Sequence, residues 1–180
     1  KVTTQPLGAD FFQRKDRPVA DPSGGKFVLM VGTLEPRKNH MFILNVFEKI
    51  WIQGSELKLV LIGAPGWCSE ELMQRVQNHP ELGQRLEWHP ALPDEQLYKL
   101  YKHAQALVFP SLNEGFGLPI AEATYIGCPV IASDLPVHRE TGAEWPTYLA
   151  SNDIHAWMSA LLSSPSIKLH GKFVNTWTDV

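Results

Sequence analysis

Short unbroken apolar runs alternate along this chain with longer stretches whose apolar residues recur at helical spacing, and this alternation constrains the fold most. Residues 27–31, 106–109 and 130–132 are such runs, and residues 57–62 read as a second buried strand interrupted only by Lys58, with a shorter strand over 85–89 and a weaker one over 147–150. A strand with one wet face alternates apolar and polar residues, whereas an unbroken run is buried on both faces. Helices are expected over residues 39–51, 69–77, 94–103, 119–126 and 153–162. Asn39, Ser69 and Asp94 stand where a side chain can cap the first free N–H groups, and Glu70 and Glu71 suit a first turn. Pro119 fits the first position of its helix and Gly127 lies just past the end. Strands covered on both faces and joined by helices imply an α/β domain with a Rossmann-like, doubly wound parallel sheet. Ligands in such sheets bind beyond the carboxyl ends of the strands.

The chain has 180 residues, the size of one domain, and a formal net charge of -3. That charge gives no general attraction for nucleic acid, so a basic site must be local. Cys68 and Cys128 are the two cysteines, and neither belongs to a pair or a His/Cys cluster with zinc spacing. Free thiols suit a reducing compartment, and cytoplasmic placement is expected. No apolar run is long enough to cross a bilayer, and the first residues lack signal-peptide anatomy. Residues 1–25, rich in Pro, Gly and charge, read as a lead-in; residues 26–165 as the folded domain; residues 166–180 as a tail.

Two loops at strand ends carry chemistry. The first reads Gly32-Thr33-Leu34-Glu35-Pro36-Arg37-Lys38-Asn39. Arg37 and Lys38 stand just before a helix N-terminus, where cations and free N–H groups together suit a diphosphate. The plainer alternative is a solvated basic pair on a loop. The second runs from Pro110 through Asn113-Glu114-Gly115-Phe116-Gly117-Leu118-Pro119 to Glu122. Gly115 and Gly117 let backbone approach a ligand closely. Glu114 and Glu122 can accept hydrogen bonds from sugar or ribose hydroxyls; alternatively, each merely complements a helix dipole.

Glu114 and Glu122 stand eight positions apart. This resembles the E-x7-E signature of retaining glycosyltransferases of family 4 (group 1), which have the two-domain GT-B fold. The first loop, Leu97-Tyr98-Lys99-Leu100-Tyr101, Phe109-Pro110-Ser111 and the stretch from Gly127 to Asp134 are also similar to that family, in the expected order over residues 5–165. Ile62-Gly63-Ala64-Pro65-Gly66-Trp67 resembles mannosyltransferase-like members. The resemblance implies a nucleotide-diphosphate sugar donor, GDP-mannose or a UDP-sugar, and no cofactor. Arg37, Lys38 and Glu114 would be catalytic, the cations holding the diphosphate and Glu114 the donor sugar. Gly32, Thr33, Gly115, Phe116 and Gly117 would line the donor, Glu122 would hold the ribose, and Ala91 and Leu92 would line the base. No D-x-D occurs in the chain, in keeping with the metal-independent chemistry of GT-B enzymes.

The resemblance further implies that this is a C-terminal, donor-binding half, with the N-terminal acceptor domain absent. Gly8-Ala9-Asp10-Phe11-Phe12 is similar to the stretch after the interdomain linker, and residues 173–177 to the start of a returning tail. The acceptor would be a glycan or lipid-linked glycan met through the missing domain, in polysaccharide biosynthesis, with peripheral membrane association of the full-length protein. Residues 140–146 depart from the family's glycine-rich acidic segment, which puts the outer sheet edge in doubt. A nucleotide-sugar epimerase domain and a non-catalytic nucleotide- or carbohydrate-binding module are the alternatives. His89, His138 and His155 lack metal spacing and are expected at the surface or with satisfied ring nitrogens. Trp51, Trp88 and Trp157 are expected in the core, whereas Trp67 lies on the ligand side of its strand.

Overall fold

The structure is a computed structural model and describes residues 25–163. The lead-in (apart from Gly25), the tail and the two linker-like stretches of residues 8–12 and 173–177 lie outside the described residues. The elements run β1 (Phe27–Val31), α1 (His40–Ile52), β2 (Lys58–Ile62), α2 (Glu70–Gln77), β3 (Leu86–His89), α3 (Asp94–His103), β4 (Ala106–Phe109), α4 (Leu118–Ile126), β5 (Val130–Ser133), α5 (Pro136–Gly142), β6 (Thr147–Leu149) and α6 (Ile154–Leu162). All strand pairs are parallel and the order is β3-β2-β1-β4-β5-β6. This is the doubly wound arrangement, with the chain reversing direction across the sheet between β1 and β4.

The unbroken apolar runs are explained by two cores. Val28, Met30, Leu59 and Leu61 point into one, against Ile43, Phe47, Leu72 and Trp157 of α1, α2 and α6. Phe27, Leu29, Val60 and Ile62 point into the other, against Leu100, Tyr101, Ile120 and Ala123 of α3 and α4. Neighbouring residues of one strand therefore serve opposite layers, which requires both to be apolar. Trp157 is fully buried and its indole N–H donates to the Ala150 carbonyl at 2.9 Å. Trp51 is buried and Trp88 partly so, as expected.

The element boundaries agree with the sequence pattern more closely than the caps do. Asp153 caps α6 by accepting from the Ala156 N–H at 3.0 Å, a contact worth about 1 kcal/mol. The three other caps are corrected. Asn39 precedes α1 in the left-handed region (φ 62, ψ 35) and its side chain turns away from the helix. Ser69 uses its hydroxyl as a donor, to the Gly66 carbonyl at 2.8 Å. Asp94 is the first residue of α3, whose cap position is Pro93. Pro119 is likewise displaced by one position, because α4 begins at Leu118. The doubtful outer edge is regular: β6 pairs in parallel with β5, and α5 forms ahead of it.

Candidate active site

The chain reversal between β1 and β4 brings both chemistry-bearing loops side by side at the carboxyl ends of those strands, where open parallel sheets place their ligand crevices. The two loops are stitched together. The Leu112 N–H donates to the Arg37 carbonyl at 2.8 Å. Asn39 Nδ2 donates to the carbonyls of Pro110 and Ser151, each at 3.2 Å. One amide thus links the loop after β1 to the residues that follow β4 and β6, which leaves it unavailable as a helix cap, while the left-handed backbone of Asn39 closes the turn before it. Next to it, residues 36–38 make one tight 3-10 turn that ends at Asn39.

That turn aims two cations at one carboxylate. Lys38 Nζ is 2.6 Å from Glu114 Oε1, and Arg37 Nη1 is 2.8 Å from Oε2. Arg37 Nη2 also pairs with Glu35 at 2.5 Å. The Glu114 side chain is only 6% exposed and that of Lys38 10%, whereas Arg37 keeps 40%. Lys38 Nζ lies 5.0 Å from the centre of the Phe109 ring. Gly32 lies against its stem, where a Cβ would touch Lys38 Cε at 3.4 Å, and its backbone φ of +148° is one that side-chain-bearing residues rarely adopt. Burial alone would raise the Glu114 carboxyl; the bonds from Lys38, Ser111 and Arg37 and the charge of Lys38 outweigh it and hold the group below the ordinary carboxylate range.

The glycine loop is held from below by α5. Thr141 Oγ1 donates to the Phe116 carbonyl. His138 is fully buried, its Nδ1 lies 2.8 Å from the Ser133 carbonyl, and its ring packs 5.2 Å from that of Phe109. Its Cδ2 lies beside Gly117, and its Nε2 has no partner, which corrects the expectation of a surface or satisfied histidine. Burial pushes His138 below its ordinary pKa. Gly117 (φ +87°) takes a left-handed turn that most side chains resist, directly before α4.

Glu122 sits one turn into α4 on its α3 side, and Tyr101 donates to its Oε2 at 2.8 Å. Burial raises the Glu122 carboxyl, and Asp94 adds to the rise against the opposing bond from Tyr101. Arg37, Lys38 and Glu114 thus converge, with Gly32 against the lysine stem. Thr33 is exposed, its methyl packed against Gly66. Gly115 is exposed and Phe116 partly so. Ala91 is exposed and Leu92 partly buried after β3, the edge strand separated from β1 by β2. The sequence reading did not single out Glu35, Tyr101 or the buried His138 for the site. Glu35 was signalled by its place in the first loop; the other two are identified by packing alone. Trp67 is 60% exposed beyond β2.

The profile of glycosyl transferases group 1 matches residues 11–163. The chain belongs to this family. Among group 1 relatives, the serotype-specific mannosyltransferase WbdA of Escherichia coli is 41% identical over 122 residues, covering 68% of this chain and 15% of the relative. The O-antigen chain mannosyltransferase RfbU of Salmonella typhimurium is 32% identical over 154 residues, covering 85% of this chain and 40% of RfbU. A solved structure of sucrose-phosphate synthase from Thermosynechococcus elongatus is similar at a TM-score of 0.69 and 26% identity, over 88% of this chain and 41% of that one. This group 1 chain therefore spans well under half the length of these relatives. Among its described residues, no helix is long and apolar enough to cross a membrane.

Proposed function

We propose that this domain binds a nucleotide-diphosphate sugar and serves as the C-terminal, donor half of a retaining GT-B glycosyltransferase. The observation that carries this reading is the convergence of Arg37, Lys38 and Glu114 beyond the carboxyl ends of β1 and β4. In glycosyl transfer, negative charge builds on the departing diphosphate. Two fixed cations beside the N-terminus of α4 stabilise that charge where it develops, in the manner of a metal-independent site. The Gly115, Phe116 and Gly117 backbone offers N–H groups to phosphate and sugar. Glu114 accepts from a sugar hydroxyl once phosphate has taken over its cations, Glu122 accepts from the ribose, and Ala91 and Leu92 line the base. Gly32 and Thr33 complete the wall.

GDP-mannose is the leading donor and a UDP-sugar the second. The mannosyltransferase names of WbdA and RfbU favour mannose, as does the loop from Gly63 to Trp67. The acceptor is a glycan or lipid-linked glycan in polysaccharide biosynthesis, engaged through an N-terminal domain, in the cytoplasm or at the cytoplasmic face of a membrane.

Calorimetric titration with GDP, UDP, GDP-mannose and a UDP-sugar tests this. One nucleotide diphosphate is expected to bind, and its sugar derivative to bind differently when Glu114 is changed. Glu114→Ala should alter affinity for the sugar derivative by about 1–3 kcal/mol more than for the bare nucleotide. Failure of every nucleotide to bind would refute the reading. Equal effects on both ligands would refute the role of Glu114.

A further inference from the structure

Tyr101 lies on α3, outside both loops, yet its hydroxyl reaches the carboxylate one turn into α4. The ring is fully buried in the core between these helices and the sheet, among Leu100, Ala104, Ile120 and Cys128. Its position is set by packing and its hydroxyl has a fixed address. The Tyr101 O–H donates to Glu122 Oε2 at 2.8 Å, while Glu122 itself is half-buried.

We propose that Tyr101 is a positioning residue for the nucleotide: it locks one oxygen of Glu122 so that the other faces the ribose diol in a single orientation. The proposal rests on the reading of Glu122 as the ribose acceptor. A free glutamate side chain samples several rotamers, and ordering it on binding costs affinity. A carboxylate has acceptor sites on both oxygens, so one bond to tyrosine leaves the other oxygen available. Burial holds the Tyr101 phenol well above its ordinary pKa, with Glu122 and then Cys128 adding to the rise; the hydroxyl keeps its proton and remains a donor. Burial pushes the Cys128 thiol up to about 12, so it stays neutral beside them.

The same contact sets a pH dependence. The groups that act on Glu122 are Tyr101 and Asp94, both on α3. Burial and Asp94 favour the protonated carboxyl, and the tyrosine bond favours the ionised one. Ribose binding through an ionised acceptor is therefore lost as pH falls through the raised Glu122 pKa. Without the tyrosine bond that midpoint moves to higher pH.

The test is titration of this chain with GDP and with UDP from about pH 5 to about pH 8. Tyr101→Phe, Glu122→Gln and the double variant are compared with the parent, with melting curves alongside. The Glu122→Gln curve isolates the phosphate's own titration. Tyr101→Phe keeps the ring and is expected to weaken nucleotide binding about three- to tenfold at neutral pH, to raise the acid midpoint, and to add nothing to Glu122→Gln. A fluorotyrosine at this position, a more acidic donor, is expected to shift the midpoint the other way. If Glu122→Gln weakens binding but Tyr101→Phe leaves affinity and midpoint unchanged, Tyr101 has no positioning role and the ribose reading stands. Additive losses in the double variant also overturn the proposal. If Glu122→Gln binds like the parent, the ribose reading itself fails.

Discussion

Lys38→Met is expected to cut affinity for a nucleotide diphosphate about tenfold to a hundredfold while leaving the weak binding of the bare nucleoside nearly unchanged. The ammonium is the more buried of the two cations, so little water screens it. Methionine fills the space of the stem beside Gly32 and Phe109, which separates loss of charge from loss of packing. The substitution also costs stability. Glu114 is almost fully covered, and removing Lys38 leaves its Oε1 without that cation while Arg37 still reaches Oε2. The cost is about 2–3 kcal/mol, below the usual loss for a broken buried pair because one cation remains. Glu114→Gln in the same chain should recover part of it.

The acid side gives a second readout of the same pair. In the parent the Glu114 carboxyl is held below its ordinary pKa. Its contribution to stability is therefore present above the carboxylate range and lost as pH falls through the lowered value. Lys38→Met removes much of that lowering, so its stability should fall less steeply between neutral and acid pH. Denaturant unfolding at both ends of the range, with calorimetric binding at neutral pH, checks all three effects. Equal loss of nucleoside and diphosphate binding would mean that Lys38 acts only through folding.

Gly63→Ala is expected to be the most damaging single-atom addition at the candidate site, lowering stability by about 3–5 kcal/mol and the melting temperature by roughly 10 °C or more. Gly63 follows β2 with φ +155°, and a Cβ there would stand 2.0 Å from the Gly32 carbonyl oxygen. Gly63 cannot retreat easily. Its N–H donates to the His89 carbonyl at 3.0 Å, and its own carbonyl accepts from Trp88 Nε1 at 3.0 Å. The strain must pass into the turn that carries Arg37 and Lys38. Nucleotide binding should therefore fall together with stability, unlike the selective loss in Lys38→Met. Thermal unfolding within a few degrees of the parent would show that the two loops separate without cost.

The uneven legibility of this chain has a physical cause. Strands were easy to see because a doubly covered sheet needs apolar residues at consecutive positions, as at Phe27, Val28, Leu29 and Met30. The caps were not: Asn39 satisfies carbonyls 71 and 112 positions away, which no local window contains, and Ser69 turns back to the Gly66 carbonyl, a choice its own residue type does not signal. The helix α5 escaped because its buried residues are His138 and Gly142, which give no apolar period. In the candidate site, residue types and their order stand in the sequence, but their pairing does not. Arg37, Lys38 and Glu114 each suggested a separate contact with the donor, whereas the structure closes them on one another across 76 and 77 positions of sequence. That contact is created by the order of strands in the sheet.

The pairing also bears on how a ligand arrives. Glu35 and Glu114 offset Arg37 and Lys38 charge for charge. An anion in solution, beyond a screening length of about 8 Å, meets a cluster that is neutral in sum. It is not drawn in from a distance, so its encounter rate should respond little to ionic strength. On the proposed reading, attraction would appear only at contact, with phosphate exchanging places with the Glu114 carboxylate. Residence time, rather than speed of capture, is then the quantity that salt controls.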